Sequence, residues 1–234
     1  MKKYITIAAL LAAGTALANA AEEIVTTFTG ALAGTELENV GLGITGLDGI
    51  SGTISSLTSV PYTEGEASSG LGLRTVEQDG TFFAPSTNVG TAAGWNAEFT
   101  YQFSGEAILV SSVTLNVGIF ANGNGWQGEN TDRDFIFTVS LGEKSVSSPN
   151  WTVKGSTTGT PKENSGTITL TFDEAVTLSD SAVLAINVKK GASNPGCFLG
   201  LHSVSLSLVP EPSAFGMIAG LGALALVASR RRRK

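Results

Sequence analysis

The sequence predicts an all-β fold for residues 21–208, an antiparallel β-sandwich of jelly-roll type. The first observation is a period of two: in Trp95–Phe103 every odd-numbered residue is apolar and every even-numbered one is polar. Such a strand has one buried face and one wet face. The second observation is composition, because Thr, Ser, Val and Gly are frequent and no long amphipathic helical stripe occurs. The third is the position of the turn residues, since glycine and proline separate the short runs and no helical crossover connects them.

The individual strands follow from the same alternation. Pro61 ends the second strand, because proline lacks a backbone donor. Residues 34–52 are rich in glycine, which weakens both regular states, so we expect a loop or irregular strand there. A solenoid is the alternative, but the spacing of the runs is too irregular for it. The predicted strands are Ile24–Thr29, Thr53–Val60, Leu71–Val76, Trp95–Phe103, Ile108–Phe120, Phe135–Leu141, Trp151–Val153, Ile168–Phe172, Leu184–Val188 and Val204–Leu208.

The N-terminal residues 1–20 have the layout of a secretory signal peptide. Lys2 and Lys3 form a positive start, and Ile5–Leu17 is an apolar stretch too short to span a bilayer comfortably. Residues 18–20 read Ala-Asn-Ala, a small-x-small cleavage site. We therefore expect export, with the folded body beginning at residue 21.

The charge of the body excludes some partners. Residues 21–208 hold seven of the chain's 14 basic residues and 19 of its 20 acidic ones, a net charge near −12. An acidic surface disfavours nucleic acid and anionic lipid headgroups. Cys197 is the only cysteine and His202 the only histidine. An intramolecular disulfide and a histidine-based metal site are therefore excluded.

The C-terminal segment 209–234 has three parts in a fixed order. Val209–Ser213 reads VPEPS, where two prolines prevent a strand or helix from continuing. Residues 213–229 are uncharged, enough for a transmembrane helix of about 25 Å, at the short end for a bilayer. Residues 230–234 read RRRRK, and this charge keeps the C-terminus cytoplasmic and the body outside.

This segment resembles the PEP-CTERM sorting tail of Gram-negative bacteria. The resemblance implies that an exosortase-type transpeptidase cuts near the Pro-Glu-Pro and passes the protein to the cell surface or extracellular matrix. It also implies that the inner membrane holds the chain before processing. Its recognition positions would be Val209, Pro210, Glu211 and Pro212, as substrate residues rather than catalytic ones. A plain membrane anchor is the alternative.

The polar stretch 121–134, ANGNGWQGENTDRD, is the candidate ligand loop. It is long for a connection between two strands, and long ordered loops on a sandwich often carry function. Its oxygen-bearing side chains suit Ca²⁺, although the spacing is not that of an EF-hand. The alternatives are a solvated loop with Asn-Gly turns and a sugar-binding loop. The candidate ligand residues are Asn124, Trp126, Glu129, Asn130, Asp132 and Asp134, with Glu129, Asp132 and Asp134 as the calcium ligands.

Trp126 lies in the middle of that loop. An exposed indole there stacks on a sugar ring, with amide and carboxylate groups bonding the hydroxyls. The alternative is a lid that folds back onto the end of the sandwich. Trp95 and Trp151 lie in strand patterns and are predicted to be core residues.

Catalysis has little support in the residues. A glycosidase needs two placed carboxylates, and Glu98, Glu129, Asp132 and Asp173 are candidates only because an acidic chain supplies many. No nucleophile motif accompanies His202. We expect a non-enzymatic surface or matrix protein with a structural or adhesive role and no cofactor other than calcium. A carbohydrate-binding module that contacts polysaccharide, and a jelly-roll glycan hydrolase or lyase, are the alternatives.

Overall fold

A computed structural model describes residues 22–29, 40–60, 73–74, 82–85, 94–120, 132–153, 165–192 and 198–209. Residues Glu23–Leu208 form one compact unit. The described residues of this unit are all-β, as predicted, and none of them is helical. The predicted signal peptide and the C-terminal transmembrane segment lie outside the described residues. Within the described ranges, no helix has the length and apolar character needed to cross a bilayer.

Two antiparallel sheets pack face to face. One has the order β11-β7-β13-β1-β2, and the other has the order β10-β8-β12-β6-β3 with β9 beside β8. A short β4-β5 pair forms a third sheet. The strands are β1 Glu23–Thr29, β2 Gly41–Thr45, β3 Ile50–Val60, β4 Leu73–Arg74, β5 Ala84–Pro85, β6 Gly94–Phe103, β7 Ile108–Phe120, β8 Arg133–Leu141, β9 Lys144–Ser147, β10 Trp151–Val153, β11 Ser165–Leu178, β12 Ser181–Lys190 and β13 Phe198–Leu208.

The apolar residues of each alternating run face the space between the two sheets. In β6 the odd positions Trp95, Ala97, Phe99 and Tyr101 are fully buried, while the even positions lie on the outer face. The prediction that Trp95 is a core residue is confirmed. Trp151 is only half-buried, and it packs edge-on against Phe137 at a centroid distance of 5.6 Å. This interior removes most of the large apolar side chains from water, the main favourable term in folding.

The glycine-rich run 34–52 is more regular than expected. Residues 41–45 form β2, and β3 begins at Ile50 rather than Thr53. Tertiary packing explains the difference, because the side chains of Leu42 and Ile44 close over Gly52 of the neighbouring strand. The short strands β5 and β9 were not predicted either, since neither has enough residues to show an alternation.

The two ends of the sandwich differ in the length of their connections. At one end, here called the turn end, the connections are the short turns 46–49, 104–107, 142–143 and 179–180. Gly142 is the first residue of the two-residue turn between β8 and β9, and its φ is 58°. Such a turn needs a positive φ at this position, which glycine adopts without strain. The body's first and last strands also start and finish here, because Glu23 pairs with Ser207.

The opposite end is here called the loop end. The strand residues that border it include Phe120, Arg133, Val153, Ser165, Lys190 and Phe198. The connections that leave these strands are the segments 121–131, 154–164 and 193–197, which lie outside the described residues. The candidate ligand loop therefore begins and ends at the loop end.

Candidate functional site at the loop end

Asp134 is the best-defined candidate residue at the loop end. It is the second residue of β8, and its cross-strand partner on β10 is Thr152. The Thr152 hydroxyl donates a hydrogen bond of 2.6 Å to Asp134 Oδ1, and the carboxylate side chain is 9% exposed. Bonds to a charged acceptor are short and strong, so this contact holds the carboxylate in one position.

The two residues that follow strand β12 join the same cluster. The backbone N–H of Gly191 donates to the Asp134 carbonyl at 2.8 Å. The N–H of Ala192 donates to Asn150 Oδ1 at 2.9 Å. A side chain at Gly191 would collide with Asn150 and Asp134, so only glycine fits there. Three strands are thus tied together where the loops leave them.

The predicted ligand residues have different outcomes. Asn124, Trp126, Glu129 and Asn130 lie outside the described residues. Asp132 is exposed just before β8, and Asp134 is buried against Thr152. No group of three carboxylate, histidine or cysteine side chains with metal-ligand spacing occurs among the described residues. Calcium binding by Glu129, Asp132 and Asp134 stays a prediction.

An aromatic cluster at the loop end was missed from the sequence. Phe82, Phe120 and Phe198 are buried together, separately from the main core. Phe82 packs edge-on against Phe120 at 5.1 Å and lies 4.9 Å from the ring of His202. The neighbouring Phe83 points the other way, into the main core. The only signal was the Phe-Phe pair itself, because an adjacent pair on an extended chain serves two faces.

Phe83 fastens this segment to the sheet. It exchanges two backbone hydrogen bonds of 2.8 Å with Leu201 of β13. Inside the sandwich its ring stacks on Phe28 at 5.3 Å and meets Phe99 edge-on at 5.7 Å. The aromatic packing explains why a segment with so little strand of its own keeps a fixed place.

The other carboxylates named as catalytic candidates do not meet in the described part of the chain. Glu98 lies on the outer face of β6, in one sheet. Asp173 is exposed on β11, the edge strand of the other sheet. Glu129 and Cys197 lie outside the described residues, and His202 is exposed.

An ion pair joins the two sheets near the turn end. Lys144 Nζ of β9 and Glu174 Oε2 of β11 are 2.7 Å apart. This hydrogen bond and the attraction between the charges raise the pKa of Lys144 and lower the pKa of Glu174. Both side chains are exposed, and surface pairs of this kind contribute little to stability.

The family model of the PEP-CTERM protein-sorting motif matches residues 208–233. The predicted sorting tail is therefore confirmed, and this motif marks the chain as an exported protein that exosortase sorts and processes. Val209, the first of the predicted recognition positions, is exposed and directly follows the last strand. Pro210, Glu211 and Pro212 lie outside the described residues. No curated protein matches the chain.

Three solved structures are similar to parts of the body. The catalytic domain of Agl-KA has 16% identity and a TM-score of 0.36, with 71% of this chain and 28% of that chain covered. The CBM36-1 domain of a multidomain xylanase from the hindgut metagenome of Trinervitermes trinervoides has 10% identity and a TM-score of 0.36. The match covers 67% of this chain and 100% of that chain. The xylan-binding module CBM15 has 16% identity and a TM-score of 0.33, and the match covers 70% of this chain and 93% of that chain. Likenesses this weak say nothing about ligand or activity.

Proposed function

We propose that the body is a non-catalytic module of jelly-roll type with a structural or adhesive role at the cell surface or in the extracellular matrix. The jelly-roll interpretation is supported by the chain path, because β6, β7 and β8 alternate between the two sheets and β11, β12 and β13 do so again. The sorting motif supplies the surface location.

The observation that carries the proposal is the position of the attachment point. β13 ends at Leu208, which pairs with Val110 near the turn end, and the match to the sorting motif begins at this same residue. The candidate loop is bordered by Phe120 and Asp132, at the opposite end. A body tethered through Val209 would therefore direct its loop end away from the point of attachment.

The arrangement of carboxylates supports a non-catalytic role. Glycoside hydrolysis needs two carboxyl groups on either side of one bond. Among the described candidates, Glu98 and Asp173 belong to different sheets, and Asp132 is exposed just before β8. Asp134 is engaged by Thr152. The alternative of a glycan hydrolase or lyase requires that the body release sugar from a polysaccharide. When the body is incubated with polysaccharide, we expect no new reducing ends above background.

Localisation tests the proposal directly. Cells that produce the chain are separated into inner-membrane, surface and matrix fractions, and the mature mass is measured in each. We expect a processed form, shortened at both ends, in the surface or matrix fraction, and weaker cell attachment in a deletion strain. Equal attachment with and without the chain would remove the adhesive role.

A carbohydrate-binding module is the second candidate, and the loop end favours it. Asp134 is bonded to Thr152, and Asn150 is bonded to Ala192, at the strand ends of the loop end. Retention on insoluble polysaccharides is measured for the wild type, for Trp126→Ala and for Gln102→Ala, an exposed control on β6. We expect loss only for Trp126→Ala. The same measurement is made with Asp132→Asn and with a chelator. If calcium supports binding, each of the two changes lowers the retention.

A further inference from the structure

The long edge strand β11 carries an uncharged segment with an open side. β11 pairs with β7 on one side, and no other strand of the described chain pairs with its second side. The segment Gly166–Phe172, GTITLTF, contains no charge and no proline. Proteins usually protect a sheet edge with charges, proline or irregular backbone. In β11 such features begin only at Asp173, where the register against β7 is interrupted between Thr171 and Val176.

The opposite edge of the body is built differently. β3 is also an edge strand, but its register shifts between Ile54 and Ser56, in the middle of the strand. The side chains of β2 close over it at Gly52. A β-bulge breaks the regular row of backbone donors and acceptors that a new strand needs. The segment Gly166–Phe172 has no such interruption, so it is the better template.

We propose that Gly166–Phe172 pairs antiparallel with the same segment of a second copy of this chain. A two-fold axis at Thr169 places Thr169 opposite its own copy and Thr167 opposite the second copy's Thr171. These threonines are exposed on the outer face of β11. Cross-strand threonine pairs are favourable, and the contact of 2.9 Å between Thr114 and Thr169 already forms one across β7 and β11.

Charge favours a second copy in this orientation. Two bodies with a net charge near −12 repel, so they approach most easily along uncharged surface. In the antiparallel pair the two Asp173 residues lie beyond opposite ends of the paired segment, so they are far apart. A parallel pair would instead place the two Asp173 residues next to each other.

The inner face of the edge also fits this partner. Gly166 lies beneath the indole of Trp151, which remains half-buried at the open side of the sandwich. In the two-fold pair the second copy's Phe172 lies opposite Gly166, on the face that points toward Trp151. Pairing therefore covers an aromatic residue that a single copy leaves partly in water. The new interface joins two five-stranded sheets into one.

Cross-linking between copies tests both the pairing and its register. The full chain carries Cys197→Ser, so that one introduced cysteine is its only thiol. Thr169→Cys, Thr167→Cys and Thr177→Cys are exposed positions on the same strand. The proposed axis separates the paired thiols by zero, four and ten regular strand positions, or about 5, 14 and 34 Å, because the irregularity between Thr171 and Val176 shortens β11 before Thr177. A short bis-maleimide is applied to cells that display the chain and to the protein released from them.

We expect a covalent dimer at Thr169→Cys, little at Thr167→Cys and none above background at Thr177→Cys. Equal yields at all three positions would indicate random collision and overturn the proposal, as would no dimer at any of them. Sedimentation of the full chain without the cysteine changes gives an independent measurement. Thr169→Lys, which brings two ammonium groups together, should weaken the dimer about fivefold, while Thr177→Lys should not. A chain that stays monomeric at every concentration would also overturn the proposal.

Discussion

Thr26 Oγ1 on β1 and the Tyr101 hydroxyl on β6 lie 2.9 Å apart in the interior of the sandwich, and their hydrogen bond joins the two sheets. Both side chains are fully buried among apolar neighbours. A buried hydroxyl is costly without a partner, so each residue makes the other one tolerable. The pair therefore fixes which positions of the two sheets face each other.

The loss of stability in a double variant of this pair should be smaller than the sum of the losses in the two single variants. Tyr101→Phe leaves the Thr26 hydroxyl unpaired, and we expect a loss of about 1–3 kcal/mol in the free energy of unfolding. Thr26→Val should cost a similar amount. The double variant should lose clearly less than the two single losses combined, as measured by urea denaturation. Strict additivity would show that the two hydroxyls do not interact.

The same pair predicts a loss of stability at high pH. Burial raises the pKa of Tyr101 to about 12, although the bond with Thr26 acts in the opposite direction. The unfolded chain, with a tyrosine pKa near 10, releases its proton first. The stability that depends on protonated Tyr101 is therefore fully present below about pH 10. It decreases by about 1.4 kcal/mol per pH unit from pH 10 to pH 12. Denaturation midpoints measured from pH 8 to 11.5 should show this slope in the wild type and a smaller one in Tyr101→Phe.

Gly166 should not tolerate even a methyl group. A Cβ at this position would lie 2.7 Å from Trp151 Cζ2. Gly166→Ala should therefore destabilise the body by about 1–3 kcal/mol. Gly105→Ala is the matched control, because its Cβ would meet nothing within 4 Å. We expect the control to stay within about 0.5 kcal/mol of the wild type. Similar thermal midpoints for the two variants would contradict the packing.

The sorting motif should control release rather than export. Replacing residues 209–212 with alanines removes both prolines and Glu211, the features that the exosortase is expected to recognise. We expect the variant to reach the periplasmic side but to stay in the inner-membrane fraction. Val25→Ala, a change in β1 outside the motif, serves as the processing control. Equal release of the motif variant and the wild type would contradict the prediction.

The alternating runs predicted most of the fold, because burial of one strand face leaves a direct record in the sequence. Trp95–Phe103 and Ile108–Phe120 correspond closely to β6 and β7. The strand β2 was expected only as a loop or irregular strand, because its residues Gly41 and Gly43 carry no side chain to reveal a period. Its order depends on pairing with β1, which is a tertiary effect.

The candidate site was predicted less completely. Asp134 was expected as the last residue of the loop but lies in β8, and its bond with Thr152 depends on the pairing of β8 with β10. The aromatic cluster of Phe82, Phe120 and Phe198 joins residues far apart in the chain. No local pattern contains such contacts, because they arise only when the sheets and the segment near β5 come together.

The central place of β13 has a mechanical consequence. This strand lies between β7 and β1, and it continues directly into the tail at Val209. If material held at the loop end pulls on a tethered cell, the tension travels along the strand axis. The hydrogen bonds on both sides lie across that axis, so they resist in shear and must break together rather than one at a time. Strand order and point of attachment together make the body suited to bear load.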